Sequence, residues 1–264
     1  MTFQPIIPVG GIAGWQILQR TEGSQRETYA ASGQTKRDLD YFREQIGDIK
    51  TPEQLVGDFR LLRVALGAFG LDDDIGNKYF IKTVLEEGTT DDDALANKLS
   101  DKRYLALSRA FGFGDFDTPN TALSTFPNEI AAKFTDRSFE TAVGQTNDDM
   151  RLALNMRREI GELAKASTSQ TTKWFTILGT PPLRVVFEGA LNLPTSFGSL
   201  PIDRQLEEIQ LRAESVLGTS DPADLGKSEI TDLLIQRFLV SSSIEGSSGI
   251  NSPAANALIL LGGR

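Results

Sequence analysis

Apolar residues recur along this chain at intervals of three and four, and almost nowhere in strict alternation. The pattern begins at Trp15 and Leu18. Before it, Pro5, Pro8, Gly10, Gly11 and Gly14 predict that residues 1–14 form an extended or loosely ordered segment. A helix is predicted over 36–47, with Leu39, Phe42 and Ile46 on one face. Thr51-Pro52 reads as a helix cap followed by proline at the first helical position, where its missing N–H costs nothing. The helix it opens, over 52–70, is apolar on nearly every side: Leu55, Val56, Phe59, Leu62, Ala65, Leu66 and Phe69. Such a helix belongs inside a bundle. A further helix over 75–86 stops at Gly88, and a short one carrying Leu95 and Leu99 follows. Another is predicted over 101–112.

Segment 113–127 holds two prolines and a glycine and is the predicted hinge. From 128 to 174 there is no proline, and the pattern fits a helix pair or one long bent helix. Thr180-Pro181-Pro182 interrupts it before a second apolar helix over 183–193. Ile202, Leu206, Ile209, Ala213 and Val216 form the cleanest amphipathic stripe in the chain. The last helix starts near Ser228 and ends near Val240, with Ile230, Leu233, Leu234 and Phe238. SSSIEGSSGINSP then reads as a flexible linker, followed by the apolar terminus ANALILLGGR. With no credible sheet, the chain is expected to be all-α, a multi-helix bundle.

Two phrases recur in order. LRVALGAFGL at 62–71 returns as LRVVFEGALNL at 183–193, and YFREQIGDI at 41–49 as NMRREIGEL at 155–163. The offset differs between the two matches, so a duplication would need insertions. The expected organisation is a loose N-terminal segment (1–14), a first helical half (15–127), a pseudo-repeated second half (128–240), and a linker with an apolar tail (241–264).

Composition narrows function more than fold. A net charge of −9 opposes a nucleic-acid partner, which would need a basic footprint to displace counterions. Cysteine and histidine are both missing, which removes disulfides, thiolate nucleophiles, Cys-based zinc sites and the commonest general base. No stretch approaches the roughly 20 apolar residues of a membrane span. The N-terminus also lacks the basic and apolar regions of a secretory signal.

The acidic runs Asp72-Asp73-Asp74 and Asp91-Asp92-Asp93 lack calcium-loop spacing, and each precedes a helix whose N-terminal dipole negative charge would favour. Neither a nucleophile elbow, a P-loop, a zinc-binding helix motif nor a dinucleotide fingerprint is present. Trp15 and Trp174 read as core anchors. No catalytic, cofactor-binding or metal residue is therefore assigned, and no small-molecule ligand is expected. The candidate partner-binding residues are Leu258, Ile259, Leu260 and Leu261, an apolar group tethered beyond a polar linker. It would dock either on its own domain or on a protein partner, including another copy.

FRLLRVALGAFGL, the following VLEEGTTDDDALANKLSDKRYLALSRAFGF, and ILGTPPLRVVFEGALNLP with its downstream IDRQ resemble the bacterial domain-of-unknown-function family 1217. GWQILQRT and YFREQI extend the likeness over nearly all of residues 10–240. Members of that family tend to be associated with the flagellar apparatus of alphaproteobacteria. The resemblance therefore implies a non-enzymatic structural or assembly component of the flagellum, located there or exported through it. Its partners would be flagellar components or other copies of itself. The alternative is a cytoplasmic adaptor or chaperone for a flagellar export substrate.

Overall fold

The computed structural model describes residues 3–247 and is built from α-helices and short 3-10 turns, with no strand among the described residues. The chain divides into two compact units. One takes in the residues up to Ile6 and Thr21–Ala142; the other takes in Ile7–Arg20 and the described residues from Val143 onward.

Helix α1 (Gly11–Ala30) starts inside the segment expected to be loose, with Gly11 in the left-handed region at φ 63°. Its first half belongs to the second unit and its second half to the first. In the first unit follow α2 (Gly33–Gln45), α3 (Pro52–Gly57), α4 (Phe59–Phe69), α5 (Lys78–Glu87), α6 (Leu95–Lys98) and α7 (Lys102–Phe111). Thr51 and Gln54 form a complete capping box at the head of α3, each side chain satisfying a backbone N–H of the other.

The helix expected over 52–70 is in fact two. Gly57 disfavours helix, and Asp58 leaves it with φ −98° and ψ 108°. The Asp58 carboxylate accepts from the backbone N–H groups of Arg60 and Leu61, which makes Asp58 the cap of α4, and from the Tyr41 hydroxyl at 2.6 Å. Helix α4 then runs through the core: Leu61, Leu62, Val64, Ala65, Leu66, Ala68 and Phe69 are all buried, packed against α2, α3 and α7. Phe111 adds an edge-on ring contact to Phe126 at 5.0 Å.

The stretch 113–127 is tied down along its length. Thr121 is buried and donates to the Ile49 carbonyl at 2.6 Å, Asn120 donates to the carbonyl of Ala110, and Phe126 is in the core. Asp115 accepts from Thr89 through both its N–H and its hydroxyl. Proline and glycine here shape a loop inside the first unit that is hydrogen-bonded to residues distant in sequence.

Helix α8 (Phe126–Gly144) carries the chain out of the first unit, the changeover falling between Ala142 and Val143. In the second unit follow α9 (Asp148–Lys165), α10 (Gln170–Gly179), α11 (Pro181–Ala190), α12 (Ile202–Leu217) and α13 (Ser228–Ser247). Where a helix pair or one bent helix was expected over 128–174, three helices stand, because Asn147 caps α9 and Ser169 caps α10. Trp174 is fully buried edge-on to Phe187, and its indole N–H donates to the Ser220 carbonyl at 3.0 Å. Trp15 is also buried, with the Arg157 guanidinium 5.4 Å from its ring.

Four helices, the last of them apolar, followed by a 3-10 turn occur twice: α1 to α4 with the turn Asp72–Gly76, and α8 to α11 with the turn Thr195–Ser199, the first series having an added 3-10 turn, Ile46–Asp48, after α2. Both quoted sequence phrases fall on equivalent elements of this order. The opening helix of each series begins in one unit and ends in the other.

Candidate partner-binding site

The acids that first suggested chemistry hold loops in place. Asp74 accepts from Tyr104 at 2.6 Å and from the Asn77 side chain. Burial, together with the Asp74 carboxylate, pushes the Tyr104 hydroxyl up to about 12. Partial desolvation raises the Asp72 carboxyl from its ordinary value. Neither acid caps α5, whose cap position is Asn77 and makes no side-chain cap bond. Asp91 accepts from the N–H of Asp93 in a turn, and the first amide of α6 is met by Glu87 instead. The first triplet opens the 3-10 turn Asp72–Gly76, and Asp74 adds the bond to Tyr104. Among the described residues, no group of three or more Asp or Glu stands ready to hold a metal ion.

A charged cluster lies on α2 and α4. Asp38 is almost completely buried, with Gln34 donating at 2.6 Å and Arg60 and Arg63 facing it at 3.5 and 3.1 Å. Arg60 also lies 4.0 Å over the Tyr41 ring. Each of these groups is used in joining α2 to α4, so the cluster is an internal fastening.

The second unit carries an open feature. Helix α13 buries Leu234, Ile235, Phe238 and Leu239, and packs closely on α11. A Cβ at Gly189 would lie only 3.1 Å from the Phe238 ring, so the missing side chain sets how near the two helices come. On its other face α13 presents Leu233, Val240 and Ile244, which are 38%, 43% and 59% exposed. The spacing i, i+7, i+11 puts them on one stripe. Together with Ile12, Ala190 and Asn192 they line a cleft of about 440 Å³. Arg237 sits in the wall but donates to the Ala190 carbonyl at 2.7 Å, fixing the end of α11. Asn192 takes a left-handed backbone at φ 51° where the chain turns away. Five of the ten lining residues are aliphatic and four are polar (Asn192, Gln236, Arg237 and Ser241), so the stripe of Leu233, Val240 and Ile244 is the part suited to an apolar side chain.

Helix α13 itself runs through Ser247, past the predicted end at Val240 and into the expected linker. Two serines there are anchored: Ser242 donates to Asp149 at 2.6 Å and Ser243 to the Val240 carbonyl. Those bonds offset the low helix preference of serine. The sequence-predicted partner residues Leu258, Ile259, Leu260 and Leu261 lie outside the described residues. The stripe on α13 was missed in the sequence, although Leu233 and Val240 sit seven apart on a helix whose core face was already evident.

Fold and cleft together define an all-α helical-bundle protein, and no helix among the described residues is long and apolar enough to cross a membrane. The family described as "Protein of unknown function (DUF1217)" matches residues 68–225, and the chain belongs to that family. The chain is also similar to a crystal structure from Agrobacterium tumefaciens, protein AGR_C_984. The two share 25% identity at a TM-score of 0.72, over 92% of this chain and 99% of that one. No curated protein matches the sequence.

Proposed function

We propose that this protein is a non-enzymatic structural or assembly component associated with the bacterial flagellum, acting by docking an apolar segment of another protein in the cleft between α11 and α13. The observation that carries the docking role is the aliphatic stripe of Leu233, Val240 and Ile244, left partly open beside a well-packed helix pair. The flagellar setting rests on the resemblance of the quoted helical phrases to a family associated with that apparatus.

The test is fractionation of cells carrying tagged wild-type protein or Val240→Glu. The wild type is expected in purified flagella or basal bodies, and the variant, whose change is at a half-exposed position, is expected to be folded but lost from them. Recovery of both only in the cytosol, each bound one-to-one to an export substrate, would favour the adaptor or chaperone reading instead.

A further inference from the structure

The described end of α13 lies beside the cleft, which suggests what fills the cleft first. We infer that residues 254–261 of the same chain, AANALILL, dock in the α11–α13 cleft and compete there with an incoming partner. This inference rests on reading the cleft as a protein-docking surface.

Three observations carry it. The first is position: the helix that forms the cleft wall is the helix from which the terminus departs. Ser247 ends α13 one turn beyond Ile244. The second is reach. Leu233 and Ile244 are separated by roughly 16 Å along the helix axis at about 1.5 Å per residue. The seven residues from Ser247 to Ala254 span up to about 23 Å when extended, at roughly 3.3 Å each, so the apolar group can reach any point of the stripe. The third is chemical match. Ala254, Leu258 and Leu261 are spaced i, i+4, i+7, the interval at which an amphipathic segment presents anchors to a groove. The cleft offers aliphatic side chains at Leu233, Val240 and Ile244, and Arg237 in its described wall is engaged by the Ala190 carbonyl.

Tethering decides between this chain's own terminus and that of a second copy. A short linker holds its cargo at an effective concentration on the order of 1 mM, against roughly 10 μM for another molecule in solution. The intramolecular segment is favoured about 100-fold by that ratio. A partner must therefore either bind the cleft more tightly or draw the terminus away, which makes occupancy of the cleft a threshold for assembly.

The experiment compares the full chain with a full-length Leu258→Asp/Leu261→Asp variant, titrating each with a fluorescent synthetic peptide of residues 253–264. The peptide is expected to bind the variant and to bind the wild type at least tenfold more weakly. Adding Val240→Glu to the variant should abolish binding, with the far-UV helical signal unchanged; Leu233→Asp serves the same purpose should Val240→Glu unfold. Equal binding to wild type and variant would overturn the inference, as would binding to neither. So would a concentration-dependent dimer in the wild type that the double substitution dissolves, because the second copy would then be the occupant. If the peptide fails but Val240→Glu still removes the protein from flagella, this inference falls and the docking role stands. If Val240→Glu is incorporated normally, the docking role falls.

Discussion

Two glycines in helix interiors offer a test in which the same substitution should act in opposite directions. Gly67 lies in α4, and a Cβ built there falls 2.7 and 2.8 Å from ring carbons of Phe134 and 2.9 Å from a carboxylate oxygen of Asp72. Phe134 is itself in the core, so its ring edge has little room to withdraw. Gly161 lies in α9 with nothing within 4 Å of the same construction. Alanine in a helix interior gains about 0.5–1 kcal/mol over glycine from the unfolded chain's lost freedom. Overpacking a filled core costs about 1–3 kcal/mol. Gly161→Ala is therefore expected to stabilise by about 0.5–1 kcal/mol, and Gly67→Ala to destabilise by roughly 0.5–2 kcal/mol after the propensity gain is offset. The chain supplies its own reporters: Tyr29, Tyr41, Tyr79 and Tyr104 all lie in the first unit, and Trp15 and Trp174 in the second. Urea unfolding followed by tyrosine absorbance reads Gly67→Ala, and tryptophan fluorescence reads Gly161→Ala. Shifts of the same sign in both midpoints, at unchanged slope, would refute the packing argument.

Asp38→Ala removes the carboxylate shared by Gln34, Arg60 and Arg63, and should cost about 1.5–3 kcal/mol in the tyrosine-detected transition. Both arginines can rehydrate, which keeps the loss below that of a sealed ion pair. Thr51→Ala breaks the capping box at α3 and is expected to cost about 1 kcal/mol, measured in the same way. Glu53 is held down to about 2 by Lys82, whose ammonium lies 2.5 Å away, against an ordinary value of 4.5. Since the folded pKa is depressed, the associated stability is complete above pH 4.5 and is lost as pH falls toward 2. Lys82→Met should flatten that acid limb of a stability–pH profile, and the difference should shrink in 0.5 M salt because the pair reaches solvent. Trp174→Ala empties the centre of the second unit and should cost about 3–5 kcal/mol by tryptophan-independent calorimetry.

Local signals carried much of the fold. The Thr51–Gln54 cap, the stop at Gly88, and the helix carrying the 202–216 stripe are all determined within a few residues, and each stands where the pattern puts it. What could not be read from neighbours depends on partners far along the chain. Asp58 splits a helix partly because Tyr41 meets it from 17 positions away, and Asp115 fixes its loop through Thr89, 26 away. The acidic triplet at 72–74 does open a 3-10 turn, with Asp72 and Asp73 exposed, but Asp74 is also bound by Tyr104, 30 positions away. The cleft was legible only in part. Helical spacing reveals which residues share a stripe, but whether that stripe is covered depends on where α11 and the start of α1 come to lie.

The division of the chain between its units also has a temporal side. Trp15 and Leu18, both buried, belong to the unit whose remaining residues begin only at Val143. During synthesis, more than 120 residues must be added after Leu18 before the first of those neighbours exists. At about 5–20 residues per second this amounts to an interval of roughly 6–25 s. The first unit can close on itself within that time, whereas the leading half of α1 has to wait for the rest of its own core. A ribosome-bound chain halted once residue 142 has cleared the exit tunnel should therefore show Tyr41 and Tyr104 in their folded contacts and an exposed Trp15, with one unit formed and the other holding only its first piece.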